Sequence, residues 1–179
     1  MKVVAFCFPL VLMCLAWNNG FCQERHLIPF ELQDQFDEVY TNSDYEQQIV
    51  LVIGSDKEGK KYNPIWSEAI TSAIHRHGSA DQVSMLGIAN LRGVPFFLKG
   101  MIKGKLPKDP ENKLLLDWSG HFAKAYKFED NVSNIVMFDK DGNLALKTYG
   151  TELEHHKLNA IVDKIFSLMD VGAVGQGAK

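Results

Sequence analysis

The sequence predicts an α/β fold: a mixed central sheet with helices on both faces and an N-terminal hairpin. Three observations carry this. Gln48–Gly54 (Q-I-V-L-V-I-G) is a short, continuous, β-branched apolar run, as a strand buried on both faces requires, and Val83–Ala89 is a second apolar run. A helical segment lies between them, which makes a β-α-β unit and hence a parallel pair. Further on, D-K-D-G-N at 139–143 reads as a tight turn joining two more strands, and a last helix follows. A parallel unit and an antiparallel hairpin in one chain imply a mixed sheet.

Taken in order, Lys2 precedes an apolar run from Val3 to Trp17 and then the polar turn Asn18, Asn19, Gly20. A positive start, an apolar stretch of about 7–15 residues and small residues near a cleavage point make a secretory signal, too short for a membrane span of roughly 20 residues. Cleavage after Cys22 places Gly20 and Cys22 at the small-residue positions. Met13 and Phe21 argue against a lipidated cysteine. The expected organisation is a signal over 1–22, one domain over 23–170 and a flexible, glycine-rich tail over 171–179, in a periplasmic or secreted protein.

Within the domain, Leu27–Tyr40 reads as an irregular hairpin with Pro29 near its start. Asn63 followed by Pro64 has the form of an N-cap and first helical residue, for a helix reaching about His77 and stopping at Gly78. A helix is expected from Val94 to about Lys105, with Val94, Phe97, Leu98 and Met101 facing the sheet. Leu114–Leu116 reads as a brief strand, and Ser119 as the cap of a helix through about Lys127. Ile135–Phe138 and Leu144–Tyr149 flank the tight turn. Thr151 and Glu154 are spaced as a capping box for a final helix to about Met169.

Composition narrows the chemistry. The 179 residues suit one domain, and a formal charge of -3 points to neither nucleic acid nor a strongly charged partner. Removing residues 1–22 takes away Lys2 and no acid, so the charge becomes -4. All three cysteines, Cys7, Cys14 and Cys22, go with them. From Gln23 to Lys179 no cysteine remains, and both disulfide exchange and thiol peroxidase chemistry need a thiolate.

Other constellations read as ordinary structure. His75 and His77 cannot share a helical face, and His155 and His156 are adjacent, so no metal site is expected. Asp139, Asp141 and Asn143 echo a calcium loop, but the twelfth position is Gly150. No G-x-S-x-G, G-K-[ST] or G-x-G-x-x-G occurs, and no cofactor is expected.

The segments I-P-F-E-L-Q-D-Q-F (28–36), D-W-S-G-H-F-A-K-A-Y-K-F (117–128) and I-V-M-F-D-K-D-G-N-L (135–144) resemble the redoxin branch of the thioredoxin-like superfamily, over residues 27–169. The resemblance implies a thioredoxin-like mixed sheet. It also implies a reactive cysteine at the start of the helix after the first central strand, and a cis-proline before a later strand. Here the corresponding stretch is Tyr62-Asn63-Pro64-Ile65-Trp66, with Asn63 at the first cysteine position and Trp66 at the second. Val132-Ser133 stands where the cis-proline is implied. Both hallmarks are absent.

The expected function is therefore a redox-inactive domain that binds a protein or peptide partner. The alternative is a redoxin-family thiol–disulfide oxidoreductase or peroxidase-like antioxidant protein retaining Cys22. Tyr62, Asn63, Pro64, Trp66 and Ser133 form the candidate vestigial site. A second candidate is the locally basic segment 92–109, where Arg92, Lys99, Lys103, Lys105 and Lys108 face only Asp109. Arg92, Phe96, Lys99, Ile102, Lys103 and Lys105 offer an interaction surface there for a partner protein or for membrane headgroups.

Overall fold

The computed structural model describes residues 24–76, 82–110 and 112–174, with side chains through Met169. Residues 1–22, where a signal is expected, and residues 175–179 lie outside the described residues, as do His77 and Gly78. The elements are β1 (Glu31–Gln33), β2 (Val39–Thr41), β3 (Ile49–Ser55), α1 (Asn63–Arg76), β4 (Val83–Asn90), α2 (Lys99–Gly104), β5 (Leu114–Asp117), α3 (His121–Ala125), β6 (Ser133–Phe138), β7 (Leu144–Gly150) and α4 (His155–Val174). They form one seven-stranded sheet in the order β2-β1-β5-β4-β3-β6-β7. β3, β4 and β5 run parallel, and β6, β7 and the β1–β2 hairpin are antiparallel.

Alternation along β3 sorts the core into two layers. Val50 and Val52 join Leu86, Ile88, Leu115, Phe122 and Tyr126 on the α3 face. Ile49, Leu51 and Ile53 pack with Trp66, Ile70 and Ile74 of α1 and Ile161 and Ile165 of α4 on the other. All seven residues of β3 are buried, which is why its run is continuous rather than alternating. The turn at 139–143 closes as expected: the Asp139 carboxylate accepts the backbone N–H of Asp141 and Asn143, and Gly142 takes φ +79°.

Three expected elements differ in detail. The segment 94–105 is helical only over Lys99–Gly104, preceded by a 3-10 turn at Phe96–Leu98. It is also rotated: Leu98 and Ile102 are half-buried, whereas Phe97 is 80% and Met101 52% exposed. Pro95, which lacks an N–H, stands at the head of the 3-10 turn, and α2 carries two glycines, which weaken it. Ser119 does not cap α3; Gly120 precedes it at φ +69°, and the Asp117 carboxylate holds the helix start. α4 begins at His155, so Thr151 lies ahead of it, and the Glu154 carboxylate pairs with Lys157 and His156. At its other end α4 continues through Val174, beyond the expected stop at Met169.

Tyr126 ties the N-terminal segment to this core. Its hydroxyl donates to the His26 carbonyl at 2.6 Å and accepts the Ile28 N–H at 2.7 Å. Burial pushes its pKa up to about 12 against the opposing Ile28 bond, and burial likewise pushes Tyr45 up to about 12. Both keep their protons in the folded chain after an unfolded tyrosine ionises near about pH 10, so the unfolded state gives up protons first. Stability should thus be fully present below pH 10 and fall through about pH 12. Urea midpoints measured across this range should fall, and less so for Tyr45→Phe. A flat midpoint would contradict the assignment.

Candidate functional site

The site region is built where β3 ends and the helix on its far side begins. After Ser55 the chain turns through Asp56–Glu58, makes one 3-10 turn over Gly59–Tyr62, and continues as α1. One Asp56 carboxylate oxygen accepts the Gly59 N–H at 2.7 Å, and the other accepts the Asn131 N–H at 3.0 Å. The Asp56 carbonyl accepts the Lys60 N–H at 3.1 Å. Asp56 thereby clips this turn to the loop before β6.

Gly59 makes that approach possible. A Cβ there would lie 2.2 Å from the Val132 carbonyl oxygen, closer than any real contact. Asn134, fully buried, secures the other side of the loop: its amide accepts the Glu129 N–H at 2.8 Å and donates to the Glu129 carbonyl at 2.9 Å. The described residues contain no cis peptide bond, Val132–Ser133 included.

The residues expected at the site divide accordingly. Tyr62 is half-buried under the Lys61 ammonium, 4.9 Å from its ring centroid. The Asn63 amide donates to the Ser55 hydroxyl at 2.9 Å, while its Oδ1 is buried without a protein partner. Pro64 is exposed. Trp66 is fully buried against Gly150, where a Cβ would stand 2.8 Å from the indole Cζ2. Ser133, also buried, pairs with Gly150 across β6–β7, and its Oγ and the Trp66 Nε1 have no protein partner.

α1 begins at Asn63, as Asn63-Pro64 suggests, and a separate 3-10 turn over Gly59–Tyr62 precedes it. Asp56 and Gly59 of the preceding turn stand against the loop before β6, at Asn131 and Val132, while Trp66 packs on Gly150, the partner of Ser133. The sequence signal for that turn is the D-x-x-G directly after the strand, an aspartate that can accept the glycine N–H three residues on.

Asn63 and Pro64 also edge an open groove of about 1360 Å³ between α1 and the loop before β5. Met85, Gly87 and Leu114 line it from β4 and β5, with Lys60, Lys61 and Lys105 around it. Of the second candidate surface, the Arg92 side chain packs on Gly120 and Ile102 is half-buried. Lys103 pairs with Asp37, and the Lys99 ammonium stands 5.5 Å from the Phe96 ring and 4.9 Å from the Trp118 ring. Phe96 itself is 83% exposed. Among the described residues no group of three histidine, aspartate or glutamate side chains could hold a metal ion, and no helix is long and apolar enough to cross a membrane.

A parallel β3–β4–β5 core flanked by an antiparallel β6–β7 hairpin, with helices on both faces, is a thioredoxin-like fold, as the resemblance in the sequence implied. Solved structures agree. The chain is similar to the exposed lipoprotein thioredoxin of Streptococcus pneumoniae (TM-score 0.56, 20% identity, covering 76% of this chain and 99% of that one). It is also similar to the thioredoxin domain of a thiol-disulfide oxidoreductase of Bacteroides vulgatus (0.53, 14%, 80% and 97%). A SCO1/SenC family lipoprotein of Bacillus anthracis shares the fold too (0.53, 13%, 81% and 95%). No protein-family model matches the chain, and no curated protein does.

Proposed function

We propose that this chain is an exported, redox-inactive thioredoxin-like domain that holds an extended segment of a protein or peptide. The observation that carries the binding reading is the open groove beside α1, which joins the Asn63–Pro64 end of the helix to the loop at Lys105. Its apolar floor at Met85 and Leu114 suits a peptide's side chains, and Lys60, Lys61 and Lys105 favour acidic ones. Redox inactivity rests on the absence of cysteine from Gln23 onward and on Asp56 standing in the turn before the helix, where its carboxylate caps backbone N–H groups.

Two measurements test this. Ser67, half-buried in the first turns of α1, lines the groove; Ser67→Trp should reduce binding of displayed peptides selected on the wild type by about ten-fold or more, through steric filling alone. Unchanged binding would remove the groove from the proposal. Protein starting at Gln23 should reduce insulin disulfides and consume peroxide only at the uncatalysed rate. The neighbours named as thiol-disulfide proteins favour a second reading, in which a retained Cys22 is active. Turnover that is present in the longer chain and abolished by Cys22→Ser would establish that one instead.

A further inference from the structure

Phe96, Phe97 and Met101 are the three most exposed large apolar side chains among the described residues. Their exposures are 83%, 80% and 52%. Single exposed apolar side chains are ordinary, but two adjacent phenylalanines with a methionine four residues on make a contiguous apolar tip. The same segment is open around its glycines: a Cβ added at Gly100 or Gly104 would meet nothing within 4 Å.

The segment that carries Phe96, Phe97 and Met101 is rich in cations. Between residues 92 and 109 the only acid is Asp109, against Arg92, Lys99, Lys103, Lys105 and Lys108, in a chain whose formal charge is -3. Asp37 takes up Lys103, whereas the Lys99 ammonium lies between the Phe96 and Trp118 rings, 5.5 and 4.9 Å from their centroids. An aromatic tip with ammonium groups beside it is matched to an acyl region below a layer of anionic headgroups.

A protein groove is the poorer match. Helix-in-groove recognition reads anchors at i, i+3, i+4 and i+7 over two turns, and α2 has only the six residues Lys99–Gly104. A lipid surface makes no such demand on shape.

We propose that Phe96, Phe97 and Met101 dock this domain on an anionic phospholipid surface, with Lys99 and its neighbouring cations at the headgroups. Phe96, Phe97 and Met101 do not line the groove beside α1, although Lys105 borders both surfaces.

The test is sedimentation of the protein, as isolated from cells, with phosphatidylglycerol–phosphatidylcholine vesicles and with phosphatidylcholine vesicles alone. Phe96→Ser/Phe97→Ser and Lys99→Glu/Lys108→Glu change exposed or surface side chains, and unchanged unfolding midpoints would verify that both variants fold. Each should lower partition onto the anionic vesicles by about ten-fold relative to wild type, the charge-reversal effect shrinking at high salt. Comparison with wild type cancels any contribution from a retained N-terminal segment. The proposal is overturned if both variants partition like wild type. It is equally overturned if wild type ignores anionic vesicles, or if an acidic protein binds these residues while vesicles do not.

Discussion

Trp66→Ala should destabilise the chain by about 3 kcal/mol, the lower end of the range for removing a fully buried aromatic side chain. The indole fills the space between α1 and β7, in a layer with Leu51, Ile70, Ile135 and Ile161. Its removal leaves a cavity that Gly150 cannot fill. Two terms set the size. Lost transfer and cavity formation cost about 3–5 kcal/mol, while deleting an indole N–H that has no protein partner offsets about 1 kcal/mol or more. Trp66→Phe keeps most of the packing and also removes that N–H, so it should cost no more than about 1.5 kcal/mol. Urea unfolding gives both values, read as shifts of midpoint at constant slope. Equal losses for the two variants would contradict this. The contrast matters for the site, because Trp66 acts in the core and not at the surface where its sequence position seemed to place it.

Asp117→Ala should also cost about 3 kcal/mol, and Ser119→Ala under about 1 kcal/mol. The Asp117 side chain is fully buried at the end of β5. One oxygen accepts the Ser119 hydroxyl and the His121 N–H, both at 3.0 Å, and the other accepts the Ala123 N–H at 3.0 Å. Hydrogen bonds to a charged group are worth about 1.5–3 kcal/mol each but overlap when they share one acceptor. α3 has only five residues, too few to persist without its cap. Ser119 adds a single bond to the His121 N–H at 3.1 Å. If Ser119 were the cap, as its place before the helix suggests, the two losses would be reversed in order. Urea midpoints of the two variants therefore decide which residue starts the helix.

Much of the architecture was legible because its signals are local. The buried run at Ile49–Ser55 and the D-K-D-G-N turn each contain their own cause: side chains that need burial on both faces, and an aspartate and glycine that close a turn. The candidate site was harder to read. Asn63-Pro64 does open α1, yet a 3-10 turn held by the Asp56 carboxylate precedes it, and its Gly59 matters only because Val132 lies against it. The orientation of 94–105 was not legible either. In V-P-F-F-L-K-G-M-I-K-G-K-L apolar residues occupy every side, so either a Phe97–Met101 or a Leu98–Ile102 stripe fits the helical period.

The sequence by itself determined the strand-and-helix order, and that no cysteine thiol follows Cys22; composition and periodicity belong to the chain before it folds. Only the tertiary structure decided that Asp56 and Gly59 form the turn opposite Val132, that Asp117 caps α3, and that Phe96 and Phe97 point away from the sheet. Each of these depends on partners distant along the chain or on the choice between two equally apolar faces. Packing makes that choice, and local preference does not contain it.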